Sequence, residues 1–228
     1  MVTARPTRYV DALASVTGLS GTAVCSNGAV VYDIGSRTVV ESRVLSVGAA
    51  RTVAGAVAGV VDGVGFAVET GGMVVYEPGY RFRFEEDPGF ESPVRALADL
   101  WALATPIVKM LAHSEAHDAD FLLAAAEEAA IGLAQFTHSG GPGLLEISAP
   151  GVTKAGTLAA LCAERGIDAA DVHAFGDMPN DLTILNWAGT AYAMGNAHAR
   201  VLAAVARHTV SNEEDGVAVV IERLFDSH

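Results

Sequence analysis

The segment Ala174-Phe175-Gly176-Asp177-Met178-Pro179-Asn180-Asp181 sets two carboxylates four positions apart, with an amide between them, directly after a short apolar run. Oxygen donors of this kind suit a hard divalent cation such as Mg²⁺, which is held by a few carboxylates while keeping several waters. If the apolar run is a strand of a parallel sheet, Asp177 and Asp181 stand at its carboxyl edge, where such sheets bind ligands. Taken alone, the motif is equally consistent with a loop Asp followed by a favourable acid in a first helical turn. Lys154 shifts that balance. It is one of two lysines, with Lys109, in a chain that otherwise takes its positive charge from arginine. It opens a helical pattern whose next strand ends at Asp177, so one βα unit brings an ammonium and a carboxylate pair to the same edge. A cation fixed there balances the acids and stabilises charge on a phosphate-like group.

The elements that must position these groups follow from periodicity and punctuation. Pro6 suits a first helical turn, and Tyr9, Val10, Leu13 and Val16 recur at helical spacing until Gly18 stops them. Thr22 to Ser26 and Ala29 to Asp33 flank Asn27-Gly28 as two strands joined by a tight turn. From about Val39 to Pro142 the texture is that of an α+β insert with its own sheet. Helices are expected over Ala49–Val61, Pro93–Leu103 and Asp118–Ile131. Strands are expected over Val64–Val68, Met73–Glu77, near Leu133–Thr137 and over Leu144–Ser148, with a short apolar run at Pro106–Leu111. The clusters Glu85–Gly89 and Ser139–Gly143 read as loops or hinges. Beyond Gly151 strand and helix alternate: helix Lys154–Arg165, strand Val172–Phe175, helix Asn180–Trp187, strand Thr190–Met194, helix Ala197–Ala206, a strand near His208–Val210 and helix Gly216–Leu224. Such alternation means parallel βαβ units.

Composition bounds the partners. The 228 residues are 51% hydrophobic and 18% charged, an ordinary globular balance. With 27 acids against 14 basic residues the formal charge is -13, a field that opposes nucleic acid and anionic membranes. A small anionic ligand then needs a local cationic pocket. No apolar run has the length of a membrane span, and the start lacks the pattern of a secretory leader, so the chain reads as cytoplasmic. Cys25 and Cys162 have no close partner for a zinc or redox site and read as buried packing residues.

Four segments in order, Gly151-Val152-Thr153-Lys154, Gly176-Asp177-Met178-Pro179-Asn180-Asp181, Ala193-Met194-Gly195-Asn196-Ala197 and Ser211-Asn212-Glu213-Glu214-Asp215-Gly216-Val217, resemble the C-terminal half of a haloacid dehalogenase superfamily phosphatase. The branch is the Cof-type one, which includes sucrose-phosphate and phosphoglycolate phosphatases. Near the start, Val2-Thr3-Ala4-Arg5-Pro6 resembles that branch's Thr-Gly-Arg motif, with Ala4 in place of Gly, and Ser26-Asn27-Gly28-Ala29 resembles its Asn-Gly-Ala turn. The resemblance implies an α/β fold: a Rossmann-like core of parallel sheet with helices on both faces, over residues 1–38 and 143–228, and a large α/β cap over 39–142. It also implies roles. Thr3 hydrogen-bonds a transferring phosphoryl group, Lys154 neutralises it, Asp177 ligates Mg²⁺, and Asp181 and Asn180 support the ion and its waters. Arg5, Asn27 and Asn212 are nearby polar residues of the substrate site.

One departure matters. Family members carry an Asp-x-Asp-Gly-Thr motif on the first core strand, supplying the nucleophile and the general acid/base. It is not found in this chain, which is expected to start too late to contain it. His117-Asp118-Ala119-Asp120 has the acid spacing but lies in the insert without Gly-Thr, and Asp33-Ile34-Gly35 and Asp62-Gly63 lack the second acid. Covalent phosphoryl transfer then has no first step. A buried central strand is also worth about as much as a domain's net stability. The expectation is therefore a missing N-terminal segment, or a gap repaired by rearrangement or chain exchange.

Other constellations are weaker. His113 and His117 have metal-ligand spacing, but Glu115 is misplaced for H-E-x-x-H. Tyr80, Phe82, Phe84 and Phe90 alternate with Arg81 and Arg83 as a strand in the cap would, rather than as a nucleic-acid platform. Three readings remain: a Mg²⁺-dependent phosphomonoesterase acting on a small phosphorylated metabolite such as a sugar phosphate, a non-catalytic relic that keeps the metal and phosphate pocket, and a phosphosugar mutase of the same fold. The substrate and the oligomeric state are open.

Overall fold

A computed structural model describes residues 1–82, 90–94, 96–103 and 106–226. The chain forms two compact units, Met1–Thr157 and Leu158–His228.

In the first unit, α1 (Thr7–Thr17) follows Pro6 and ends at Gly18, whose left-handed backbone lets its N–H reach the Ala14 carbonyl. Val10 is its fully buried residue and packs with Ala23, Cys25 and Tyr32; Leu13 and Val16, expected on the same stripe, are exposed. β1 (Thr22–Cys25) and β2 (Val30–Asp33) pair antiparallel around the Asn27-Gly28 turn as expected, and Val2 bridges Val24 in parallel. β3 (Thr38–Ser42) extends this sheet. It had no signal in the sequence because all five of its side chains face solvent, so no buried face imposes an alternating pattern.

A six-stranded sheet dominates the rest of the unit. Its elements run α2 (Val47–Ala58), β4 (Gly65–Glu69), β5 (Met73–Tyr76), β6 (Phe90–Pro93), α3 (Leu97–Leu103), β7 (Lys109–His113), α4 (Ala119–Ala129), β8 (Gln135–Thr137) and β9 (Leu144–Ser148), with strand order β6-β5-β4-β7-β9-β8. Ser46 and Asp118 cap α2 and α4 with side-chain oxygens. One expectation needs correction. The helix predicted from Pro93 begins at Leu97, because residues 90–93 pair with β5 as a parallel strand. β9, expected at Leu144–Ser148 among the strands of the insert, hydrogen-bonds between β7 and β8. The Glu85–Gly89 cluster, Arg83 and Phe84 lie outside the described residues.

The two faces of this sheet differ. Phe66, Val68, Met110, Ala112, Leu145 and Ile147 pack against residues of α2, α3 and α4. Alternation puts Ala67, Glu69, Lys109, Leu111, His113, Leu144 and Glu146 on the other face, where Tyr80 covers Ala67, Leu111 and Leu144.

The second unit holds most of α5 (Lys154–Glu164), then β10 (His173–Gly176), α6 (Leu182–Trp187), β11 (Thr190–Ala193), α7 (Ala199–Ala204) and α8 (Gly216–Asp226). β10 and β11 pair in parallel, with Phe175 and Tyr192 stacked 5.1 Å apart. The strand expected at 208–210 is a single parallel bridge from His208 to Ala193. Among the described residues no helix is long and apolar enough to cross a membrane.

His113 ends β7 buried between the rings of Tyr80 and Phe82, and burial lowers its pKa below the usual 6.5. The unfolded chain binds a proton that the folded ring resists, so this residue subtracts stability as pH falls below about 6.5 and has no effect above it. Urea midpoints at about pH 7.5 and about pH 5.5 should therefore separate less in His113→Gln than in the parent protein.

Candidate functional site

Thr3, Arg5, Asn27 and Lys154 all lie in the first unit, and the Ser26-Asn27-Gly28 turn ties the first three together. Thr3 N–H donates to the Val24 carbonyl (2.8 Å), the Thr3 carbonyl accepts from Asn27 N–H (3.1 Å), and Ser26 N–H donates to the Arg5 carbonyl (3.0 Å). Thr3 Oγ1 accepts from Arg5 N–H at 3.1 Å. The Arg5 guanidinium lies 4.6 Å above the Tyr9 ring.

The turn also reaches α5. Ser26, Asn27 and Gly28 have φ of 50, 58 and 103°, and at the third only glycine fits, since a Cβ there would stand 2.3 Å from the Thr153 carbonyl oxygen. Thr153 caps α5 by accepting from Gly156 N–H (3.0 Å). Thr157 Oγ1 donates to the Gly28 carbonyl (2.7 Å) and accepts from Arg43 Nη1 (2.6 Å). Lys154, buried to 6% exposure, thus starts a helix whose first turn is clamped to the loop carrying Asn27.

Sequence reasoning missed a second cation. Lys109 Nζ donates to Glu146 Oε2 at 2.8 Å and to the Ala4 carbonyl at 3.0 Å. Asn27 Nδ2 donates to the same carboxylate oxygen at 2.7 Å, and Ser139 Oγ donates to Oε1. Desolvation pushes the buried Glu146 carboxyl up. The charge of Lys109, hydrogen bonds from Lys109 and Ser139 and the charge of Lys154 outweigh it, holding the group below its ordinary range. The available signal was a lone charge inside each of two apolar strands, Val-Lys-Met-Leu and Leu-Leu-Glu-Ile.

In the second unit, Gly176 ends β10 where a Cβ would lie 2.5 Å from the Asp181 Cβ, so the bare glycine lets Asp181 fold back on the strand end. Asp181 Oδ2 accepts from the N–H groups of Asp177 and Met178, each at 3.1 Å. Asp181 therefore shapes the turn that carries Asp177, whose carbonyl accepts from His198 N–H at 2.8 Å. Asn180 is buried beside them. Asn212 follows the His208 bridge; its N–H donates to Asn196 Oδ1 (2.9 Å) and its side chain to Glu213 Oε1 (3.0 Å). The loops of Asp177, Asn196 and Asn212 follow the carboxyl ends of parallel-paired segments, the edge where such sheets bind ligands.

The donors here are oxygen only, two carboxylates and an amide, with Asp181 Oδ2 already taken up by N–H groups. Among the described residues no three His, Cys, Asp or Glu side chains gather at ligand spacing. This set fits Mg²⁺, which keeps most of its waters, and not a fully protein-ligated ion. His113 ends a strand and His117 sits in the turn before α4, stacked on Phe121 at 4.2 Å, so their spacing does not place them on one helical face. The rejected acid pairs have structural work: Asp118 caps α4, Asp120 meets His138 Nε2 at 3.2 Å, and Asp33 accepts from Ser36 N–H and Oγ at 2.7 Å each.

Gly28→Ala should lower stability by about 1–3 kcal/mol through its left-handed backbone alone, and by more through the Thr153 contact. A urea midpoint equal to the parent's would show that the turn and α5 are not clamped as described.

Known proteins resemble this chain in sequence and in fold. A 5-amino-6-(5-phospho-D-ribitylamino)uracil phosphatase of Escherichia coli, YbjI, is 40% identical over 85 residues, which cover 37% of this chain and 31% of that relative. The aligned segment thus spans under a third of the relative's length. A haloacid dehalogenase-like hydrolase from Bacteroides thetaiotaomicron is 27% identical, with a TM-score of 0.71 over 97% of this chain and 84% of its own. The Streptococcus mutans protein SMU.1108c shares the fold at 20% identity, with a TM-score of 0.82 over 99% of this chain and 85% of its own. The family model for haloacid dehalogenase-like hydrolases matches residues 1–221, and the chain belongs to that family.

Proposed function

We propose that this protein is a Mg²⁺-dependent phosphomonoester hydrolase, or its phosphate-binding portion, acting on a small phosphorylated metabolite such as a sugar phosphate. The observation that carries this reading is the buried Lys154, held at the start of α5 by the Gly28 and Thr157 contacts beside the turn that bears Asn27, to which the Thr3 carbonyl is hydrogen-bonded. A cation preorganised in this way stabilises a phosphoryl dianion without reorganising when it binds. Family membership, and the phosphatase named among the relatives, support the same chemistry.

In this reading the Thr3 hydroxyl and the Lys154 ammonium hold phosphoryl oxygens, and Arg5 and Asn27 line the substrate side. Asp177 ligates the cation, Asp181 holds the Asp177 turn in shape, and Asn180 and Asn212 are polar neighbours on that edge. Mg²⁺, when bound, supplies charge neutralisation for the phosphoryl group. Formation of a covalent phospho-intermediate needs a carboxylate nucleophile, and no Asp-x-Asp-Gly-Thr occurs in these 228 residues. The residues present bind and polarise. That same observation favours a second reading, a metal- and phosphate-binding protein without turnover. The coding frame upstream of Met1 separates the two: an in-frame Asp-x-Asp-Gly-Thr supports the hydrolase, and an immediate stop codon supports the binding protein.

Calorimetric titration tests what both readings share. The 228-residue chain should bind inorganic phosphate, and Lys154→Ala should weaken that binding by about 10–100-fold, the loss of one charge-assisted hydrogen bond. The chain by itself should not hydrolyse p-nitrophenyl phosphate. In a form carrying the nucleophile motif, Mg²⁺-dependent hydrolysis should vanish in Asp177→Ala, and unchanged turnover would remove the metal assignment.

A further inference from the structure

The Lys109–Glu146 pair is used by nothing in the proposed chemistry, yet its hydrogen bonds run to the loops that carry that chemistry. Lys109 donates to the Ala4 carbonyl, between Thr3 and Arg5, and Glu146 accepts from the Asn27 amide. We propose that this ion pair is a positioning device for the phosphoryl pocket. It holds the Thr3–Arg5 loop and the Asn27 turn in binding geometry without touching the phosphate. The inference rests on the phosphoryl role proposed above for Thr3, Asn27 and Lys154.

Location is the first argument. Lys109 on β7 and Glu146 on β9 belong to neighbouring strands inside the six-stranded sheet, on the face whose other residues include Ala67, Leu111 and Leu144. Both side chains are nearly fully buried, at 6% and 2% exposure. Burying such a pair costs desolvation that its mutual attraction roughly offsets, so well-packed apolar residues would hold the sheet as well or better. Stability alone does not account for charges here. What the charges add is direction, because each bond from the pair has a fixed partner atom.

The second argument is what those bonds determine. A carboxylate accepts only, so the nitrogen of the Asn27 amide must face Glu146 and its oxygen must turn away from it. The Ala4 carbonyl, pinned by an ammonium, fixes the peptide between Thr3 and Arg5. Arg8 on α1 adds a parallel tie to the same face, meeting Glu69 with two contacts of 2.8 and 2.7 Å, and Glu69 stands opposite Lys109 across β4 and β7. Residues 4, 8 and 27 are thus all anchored to charges on one rigid sheet. Lys154 feels the same carboxylate, since its charge contributes to holding Glu146 ionised.

The test separates positioning from folding. In the intact chain, Lys109→Met combined with Glu146→Leu replaces the pair by apolar groups of similar size. This double variant should still unfold cooperatively in urea, and bind inorganic phosphate at least about tenfold more weakly. Glu146→Gln, nearly isosteric, should show the same weakening if the double variant does not fold. A folded double or Gln variant with parent phosphate affinity overturns the proposal while leaving the phosphoryl reading intact. Failure of the parent to bind phosphate, with Lys154→Ala indistinguishable from it, overturns that reading and this inference together.

Discussion

A carboxylate sealed inside a protein has to be surrounded by donors, and Glu146 is the point where that requirement organises the first unit. Its two oxygens collect Lys109, Asn27 and Ser139, groups from a neighbouring strand, a left-handed turn and a glycine-rich loop. None of them can move alone without leaving a buried polar atom unmatched, which costs more than a single hydrogen bond contributes. The Asn27 turn in turn presses on the start of α5 through Gly28. The arrangement is one continuous chain of obligatory contacts from the middle of a sheet to the first turn of a helix. An acidic protein with a formal charge of -13 attracts an anion only where cations are concentrated, and here Lys109 and Lys154 are held within the field of one acid.

The second unit solves its local problem by subtraction. Parallel strands deliver their loops to one edge, and the turn after β10 can be tight because Gly176 has no side chain to collide with Asp181. The acid then caps the N–H groups of Asp177 and Met178. Two acids of one motif thereby take different places, Asp181 shaping the backbone and Asp177 standing in the turn that it shapes.

How much of this was readable in advance depends on the range of the forces involved. The helix after Pro6, the hairpin at Asn27-Gly28 and strand β9 at Leu144–Ser148 were legible because proline, glycine and alternation act over a few residues. β3 was not, since a strand exposed on every side chain has no apolar signature. The helix start at Pro93 was misread because pairing with β5 takes that residue into a strand, and the short bridge at His208 lacks the neighbours that would extend it. Among candidate site residues, the Asp177–Asp181 motif and the rare Lys154 stood out by residue type and spacing. Lys109 and Glu146 did not, because their meaning lies in partners 37, 105 and 119 positions away along the chain. No periodicity carries information over such separations.

The two buried cysteines have a consequence of their own. Desolvation in the sheet beneath α1 pushes the Cys25 thiol up to about 12, leaving roughly one molecule in 10⁵ as thiolate at neutral pH, and only the thiolate reacts with alkylating reagents. Cys162 is buried as well, in α5. The native molecule therefore resists alkylation until it opens, and the two sulfurs, one in each unit, serve as built-in clocks that report separately how often each unit breathes.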